Sequence, residues 1–149
     1  MTTTAPSGSP EFFIDKSLGS KKLRRAIEGE GFVAHTVNSV YGVHKKVLDP
    51  TWIHDAGDKG WLILTKDDIR TPEVQLRHME AAKAKVFWLP ERGLKAAVFV
   101  PRYVKHLKGI IRRGKRQGPF MYKVDDDQLR PVSLRPPVRV QTGQQTSIL

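Results

Sequence analysis

The sequence predicts an α/β protein, a three-layer sandwich with a mainly parallel five-stranded sheet flanked by helices. Two observations carry this. Five short apolar runs recur along the 149 residues, and capped amphipathic segments lie between them. Several of the runs also end at an acid, a threonine or a proline, as strands leaving a buried sheet do.

Taken in order, "EFFID" (11–15) is the first strand. In "SLGSKKLRRAIEGEGF", Ser20 suits a helix cap, Leu23, Ala26 and Ile27 form the apolar stripe, and Gly29 or Gly31 stops it. "FVAHTV" (32–37) is the second strand, and "NSVYGVHKKVL" reads as a loop or short helix. At "DPTWIHDAGDKG", Asp49 suits an N-cap and Pro50 the first helical position, with Trp52, Ile53 and Ala56 facing inward. "WLILT" (61–65) is the third strand. Thr71-Pro72 then opens a helix bearing Leu76, Met79 and Ala82 or Lys83.

"KVFWLP" (85–90) is the fourth strand. A long helix is expected over 94–113, with Ala97, Val100, Val104, Leu107 and Ile111 in register and a kink or break at Pro101. "GPFMYKV" (118–124) makes the fifth strand. The domain organisation is therefore a disordered leader over 1–10, one folded unit over 11–127, and an extended or disordered tail over 128–149.

Composition narrows the function. There is no cysteine, which excludes disulfides and thiolate metal sites and fits a cytoplasmic setting. No apolar run nears the roughly 20 residues of a membrane span. Net charge is +11, and it is unevenly placed. Residues 1–91 hold 13 Lys/Arg against 12 Asp/Glu, whereas residues 92–149 hold 13 against 3. A basic second part points to a polyanion, nucleic acid first.

The acids cluster where such a fold keeps its chemistry, at the carboxyl ends of the strands. Asp15 ends the first strand, and Asp67 and Asp68 follow the third. Asp49 opens the helix leading into the third strand, which begins on the same side. A carboxylate at the margin of the core, as Asp15 is after "FFI", costs stability unless it is paired or metal-bound. Several acids around one cleft suit a hard cation, Mg²⁺ or Mn²⁺, which prefers oxygen ligands. Taken singly, Asp49 is also explained as a cap, and Asp68 as a loop acid that faces solvent or Arg70, leaving Asp67 of the two adjacent acids as the one expected at the metal. His35, His44, His54, His78 and His106 show no zinc spacing and read as structural or exposed. Phosphate-loop, dinucleotide and nucleophile-elbow motifs are absent, and Ser17 has no evident base partner.

Three segments, "FFIDKSLGSKKLRRAIEGEGF", "LDPTWIHDAGDKGWLILTKD" and "GPFMYKV", resemble the PIN-like domain of VapC-type toxins over residues 11–125. The resemblance implies a metal-dependent endoribonuclease, the toxin of a type II toxin–antitoxin pair, inhibited by a cognate antitoxin protein. It assigns Asp15, Asp49 and Asp67 as catalytic metal ligands for Mg²⁺ or Mn²⁺. Thr65 matches the hydroxyl residue preceding the last of these, and Asp68 enters as a fourth ligand without a secure counterpart. Glu28 and Glu30 lie at the far end of their helix and do not supply the additional Glu of many PIN domains. Lys16 and Lys66 adjoin two acids and are expected at the scissile phosphate. Lys105, Lys108, Arg112, Arg113, Lys115 and Arg116 are expected to guide the RNA backbone. Homodimerisation is a further expectation.

Two other readings compete. A phosphoacceptor receiver domain would need paired acids after the first strand and a hydroxyl residue ending the fourth, which here ends "LPER". A non-catalytic module binding nucleic acid or a protein partner would use the same acids only as caps and solvated groups.

Overall fold

The computed structural model of the chain describes residues 8–19 and 21–135. Its six-stranded sheet has the order β2-β1-β3-β4-β5-β6. The strands are β1 (Glu11–Ile14), β2 (Val33–Thr36), β3 (Leu62–Thr65), β4 (Lys85–Trp88), β5 (Phe120–Val124) and β6 (Leu129–Val132). All neighbouring pairs are parallel except β5 with β6. Helices α1 (Lys21–Gly29), α2 (Val37–Tyr41), α3 (Asp49–Asp58), α4 (Glu73–Ala81), α5 (Ala96–Lys105) and α6 (Leu107–Gly114) complete the fold.

Alternation along the strands builds the three layers, because successive side chains leave a strand on opposite faces. Phe12, Ile14, Leu62, Leu64 and Phe87 join Leu23, Ile27, Phe99, Tyr103 and Ile110 of α1, α5 and α6. Phe13, Ile63, Val86 and Met121 face Trp52, Ile53, Ala56, Leu76 and Met79 of α3 and α4. The central strands are apolar on both sides for this reason, and β3 is buried at every position.

Helices α3 and α4 run side by side at close range. A Cβ on Gly57 would stand 2.7 Å from the Ala82 Cβ and 2.9 Å from its carbonyl oxygen. Glycine is what lets the two helices approach there.

Several expectations are corrected. The sheet has six strands, and β6 lies within the stretch read as a tail. Pro131 obscured it, but at a sheet edge a missing N–H is tolerated. Residues 136–149, 1–7 and Ser20, with its expected cap, lie outside the described residues. The long helix breaks at His106, not at Pro101, which stays inside α5. The amide bond that Pro101 forgoes would have gone to Ala97, which is exposed, so water can serve that carbonyl. The buried stripe is also shifted, to Phe99, Tyr103, Leu107 and Ile110, leaving Ala97 outside. Larger aromatic side chains win the core because they remove more apolar area from water.

Two caps differ as well. Leu48 precedes α3 and Asp49 is its first residue, with no side-chain cap bond. Pro72, not Thr71, precedes α4. By contrast, Thr36 and Ser39 form a reciprocal capping box that ends β2 and starts α2.

Candidate active site at the carboxyl edge of the sheet

Strands β1 and β3 are neighbours, so the groups following them meet at one edge. The Asp15 N–H donates to the Leu64 carbonyl at 3.0 Å, which extends the β1–β3 pairing by one residue. The Asp15 side chain is buried, at 5% exposure. Its Oδ2 accepts the Thr65 hydroxyl at 2.7 Å and the Ser17 hydroxyl at 2.9 Å.

Each hydroxyl also accepts from the turn after β3. The Asp67 N–H donates to Thr65 Oγ1 at 3.0 Å, and the Lys66 N–H donates to Ser17 Oγ at 3.0 Å. Thus two hydroxyls bridge one carboxylate oxygen to two successive backbone amides. Tyr103, fully buried, donates its hydroxyl toward the Phe87 and Thr65 carbonyls at 3.1 and 3.3 Å, fastening α5 under the same edge. Burial pushes that phenol well above its ordinary range.

Burial also holds the Asp15 carboxyl above the usual carboxylate range. The Thr65 and Ser17 bonds oppose that shift, while the Asp67 and Asp49 carboxylates add to it by repulsion. Asp15, Asp49 and Asp67 therefore share one electrostatic neighbourhood. Asp67 is exposed, and so is Asp49, whose Oδ1 accepts Trp52 Nε1 at 3.0 Å and whose Oδ2 accepts Gln75 Nε2 at 3.2 Å.

Among the described residues, no three acidic or histidine side chains stand close enough to enclose one ion directly. The donor chemistry fits a hard cation nonetheless. All the groups are oxygens, and Mg²⁺ keeps several waters and takes only one or two protein carboxylates directly. A buried carboxylate destabilised by two like charges is the group such a cation would relieve.

Asp68 is drawn out of this set. Arg70 Nε and Nη2 donate to its two oxygens at 2.8 and 2.7 Å, and the Arg70 N–H reaches Oδ1 at 3.1 Å. Those bonds hold the Asp68 carboxyl below its ordinary range. Arg70 also lies over the Trp88 ring at 5.3 Å and donates to the Ser133 carbonyl at 2.8 Å. The acid expected as a fourth ligand is thus half of a latch between the β3 turn and the segment after β6. Arg70→Ala is expected to free this turn, raising its amide exchange rate while the sheet amides stay protected.

Lys16 is exposed beside Asp15, and Lys66 extends toward α5, 3.4 Å from the Leu94 carbonyl and over the Phe99 ring. A cleft of about 440 Å³ opens here, lined by Ser17, Lys66, Asp67, Trp88 and Arg92 among others.

The basic helix does not lie as a single rail along this cleft. Lys105, at the end of α5, bonds the Asp126 carbonyl at 2.5 Å. Arg113 and Arg116 engage Tyr122, through its ring face and its hydroxyl respectively. Lys108, Arg112 and Lys115 are exposed. Gly114 packs on Leu62, and Lys115 shares a second cleft with Glu11, Leu62 and Lys85, the first residues of β1, β3 and β4. The end of α6 is therefore at the opposite edge of the sheet from Asp15. The parallel β4–β5 pairing requires this, because the chain leaving β4 at the carboxyl edge must return to the opposite edge to begin β5.

Sequence reasoning placed Asp68 toward solvent or Arg70, and the Arg70 pair is present, but it missed the roles of Ser17, Trp88, Tyr103 and the buried Arg102. Ser17 had a readable signal, since a hydroxyl two residues after an acid in a tight turn can reach its carboxylate. Arg102 pairs with Glu91, which lines the cleft, but inside "VFVPRYV" nothing marked it as buried.

A mainly parallel α/β sheet with a buried aspartate and two further carboxylates at its carboxyl edge is the arrangement of a PIN-type domain. A family model described as "PIN like domain" matches residues 10–91. A protein of Mycobacterium tuberculosis named "Putative ribonuclease VapC45" is 30% identical over 120 residues, covering 78% of this chain and 87% of that protein. The chain belongs to the PIN-like domain family. No solved structure matches it significantly.

Proposed function

We propose that the protein is a Mg²⁺- or Mn²⁺-dependent endoribonuclease, the toxin of a type II toxin–antitoxin pair. The observation supporting this most directly is Asp15, buried, doubly hydrogen-bonded on one oxygen, and repelled by Asp49 and Asp67. The relative's printed name supports RNA as the substrate and a VapC-type role.

In this reading Asp15, Asp49 and Asp67 would hold the cation, which when bound would supply an activated water and charge neutralisation at the phosphodiester. The chain's own residues do the rest. Ser17 and Thr65 keep the Asp15 carboxylate aimed and tie it to the Lys66–Asp67 turn. Trp52 from the same helix and Gln75 from α4 orient Asp49. Lys16, Lys66 and Arg92 bring cationic charge to the cleft and position the RNA phosphates. Lys105, Lys108, Arg112, Arg113, Lys115 and Arg116 provide an outlying basic surface that retains longer RNA. The cognate antitoxin would inhibit the nuclease, and the pair would act in the cytoplasm. A neighbouring small reading frame whose product suppresses the cleavage would establish the pairing.

Melting in Mn²⁺ tests the cation site, since a ligand bound only by the folded state stabilises it by about 2.7 kcal/mol at 100 times its Kd. A melting temperature indifferent to Mn²⁺ and Mg²⁺ favours the non-catalytic module instead. The RNA path is tested separately. Lys66→Ala and Arg92→Ala are expected to lower cleavage at saturating RNA, whereas Lys115→Ala is expected to change only the binding of long RNA and its salt dependence. The reverse ranking would move the path to α6.

A further inference from the structure

The parallel packing of α3 and α4 brings residues together in matched pairs, Asp49 with Gln75, His54 with His78, and Gly57 with Ala82. The middle pair is unusual in its atoms. His54 Nδ1 and His78 Nδ1 are 3.1 Å apart, with the rings at 79° to each other. On the other side of His54, Nε2 lies 3.3 Å from Asp58 Oδ2. Both histidines are half-buried, and neither ring is enclosed by the core.

In the neutral pair one Nδ1 carries the proton and the other accepts it. The Asp58 carboxylate can only accept, and its charge near Nε2 favours the His54 tautomer protonated there, which leaves His54 Nδ1 with a free lone pair. His78 then donates its Nδ1 proton across the 3.1 Å gap. A carboxylate behind an imidazole, fixing the tautomer and aiming the lone pair outward, is the usual support of a histidine metal ligand. Two nitrogens about 2.0–2.1 Å from a tetrahedral metal are roughly 3.3 Å apart, close to the separation seen here.

We propose that His54 and His78 form a two-histidine site for an imidazole-preferring transition cation such as Zn²⁺, clipping α3 to α4. The cation binds both Nδ1 atoms, the His78 proton moves to its own Nε2, and water completes the coordination. No third acidic or histidine ligand is assembled among the described residues, so the site is open and solvent-facing. It differs in chemistry from the oxygen-only cluster at the sheet edge, and it does not depend on that cluster being a nuclease site. Sequence spacing could not reveal it, because the two rings are 24 residues apart in the chain and meet only through helix packing.

Calorimetry and melting with Zn²⁺ on tag-free full-length protein test the proposal, with Asp15→Asn as the background that removes the edge cluster. One equivalent of Zn²⁺ is expected to bind and raise the melting temperature in that background. His54→Ala and His78→Ala should each weaken the binding at least tenfold, and Asp58→Asn should weaken it less. His78→Gln, which keeps a hydrogen-bonding group at the position, should lose Zn²⁺ as fully as His78→Ala and guards against a folding artefact. Undiminished Zn²⁺ binding in both histidine variants, or no binding in the Asp15→Asn background, overturns the proposal.

Discussion

Asp15→Asn is expected to abolish divalent-cation-dependent RNA cleavage while the protein remains folded. The amide oxygen can still accept from Ser17 and Thr65, so the turn that those hydroxyls hold at 2.9 and 2.7 Å should persist. What disappears is the buried negative charge. Several kcal/mol of charge stabilisation go with a catalytic cation, and each ~1.36 kcal/mol is a factor of ten in rate. The fall in kcat/KM should therefore reach about three orders of magnitude. Mn²⁺ should also cease to raise the melting temperature. Cleavage at the wild-type rate would dismiss Asp15 as the central ligand.

Metal-free protein should show the opposite sign. Burial raises the Asp15 carboxyl above its ordinary range, so the folded state holds its proton more tightly than the unfolded chain does. Across the interval between the ordinary and raised values, stability declines as pH rises. Asp15→Asn removes that decline, and the apo variant should be no less stable than the wild type near neutrality. A variant markedly less stable at neutral pH would mean that the carboxylate is held by something other than its two hydroxyls.

Trp52→Ala should produce the largest loss of stability among the site's supporting residues. Trp52 is 2% exposed and its ring stacks on Phe13 at 5.2 Å, joining α3 to β1 just before Asp15. Truncating a buried tryptophan leaves a cavity and costs about 3–5 kcal/mol. For a chain of this size that is roughly 10 °C or more in melting temperature. Trp52→Phe keeps most of the packing but removes the Nε1 donor to Asp49, 3.0 Å away. Its cost should be about 1 kcal/mol in stability, accompanied by weaker Mn²⁺ binding. Equal stability of Trp52→Ala and wild type in urea denaturation would contradict the packing described here.

Local pattern made most of this architecture legible. The doubly apolar runs at 12–14 and 62–64 could only be central strands, and the acids after them had to lie at one edge once β1 and β3 were neighbours. The motifs around Asp15, Asp49 and Asp67 led to the family to which the chain belongs. Beyond that, periodicity was silent. Nothing local marks residues 129–132 as a strand, because their pairing comes from β5 and Pro131 argues against it. Asp67 and Asp68 are adjacent, and their places after the strand already favour Asp67 at the edge and Asp68 toward solvent or Arg70. They differ because Arg70 takes both oxygens of one, leaving the other exposed at the edge.

The contacts that define the site join residues far apart in the chain. Ser17 to Lys66, Thr65 to Asp15 and Gln75 to Asp49 span 49, 50 and 26 residues. The same holds for His54 with His78, and for the end of α6, which the crossover to the parallel strand β5 carries to the edge away from the acids. Strand and helix periods, turn residues and acids at strand ends are properties of a few consecutive residues, so the chain declares them directly. Which hydroxyl meets which carboxylate, and which cation faces which edge, depends on how whole layers pack, and only the folded molecule carries that information.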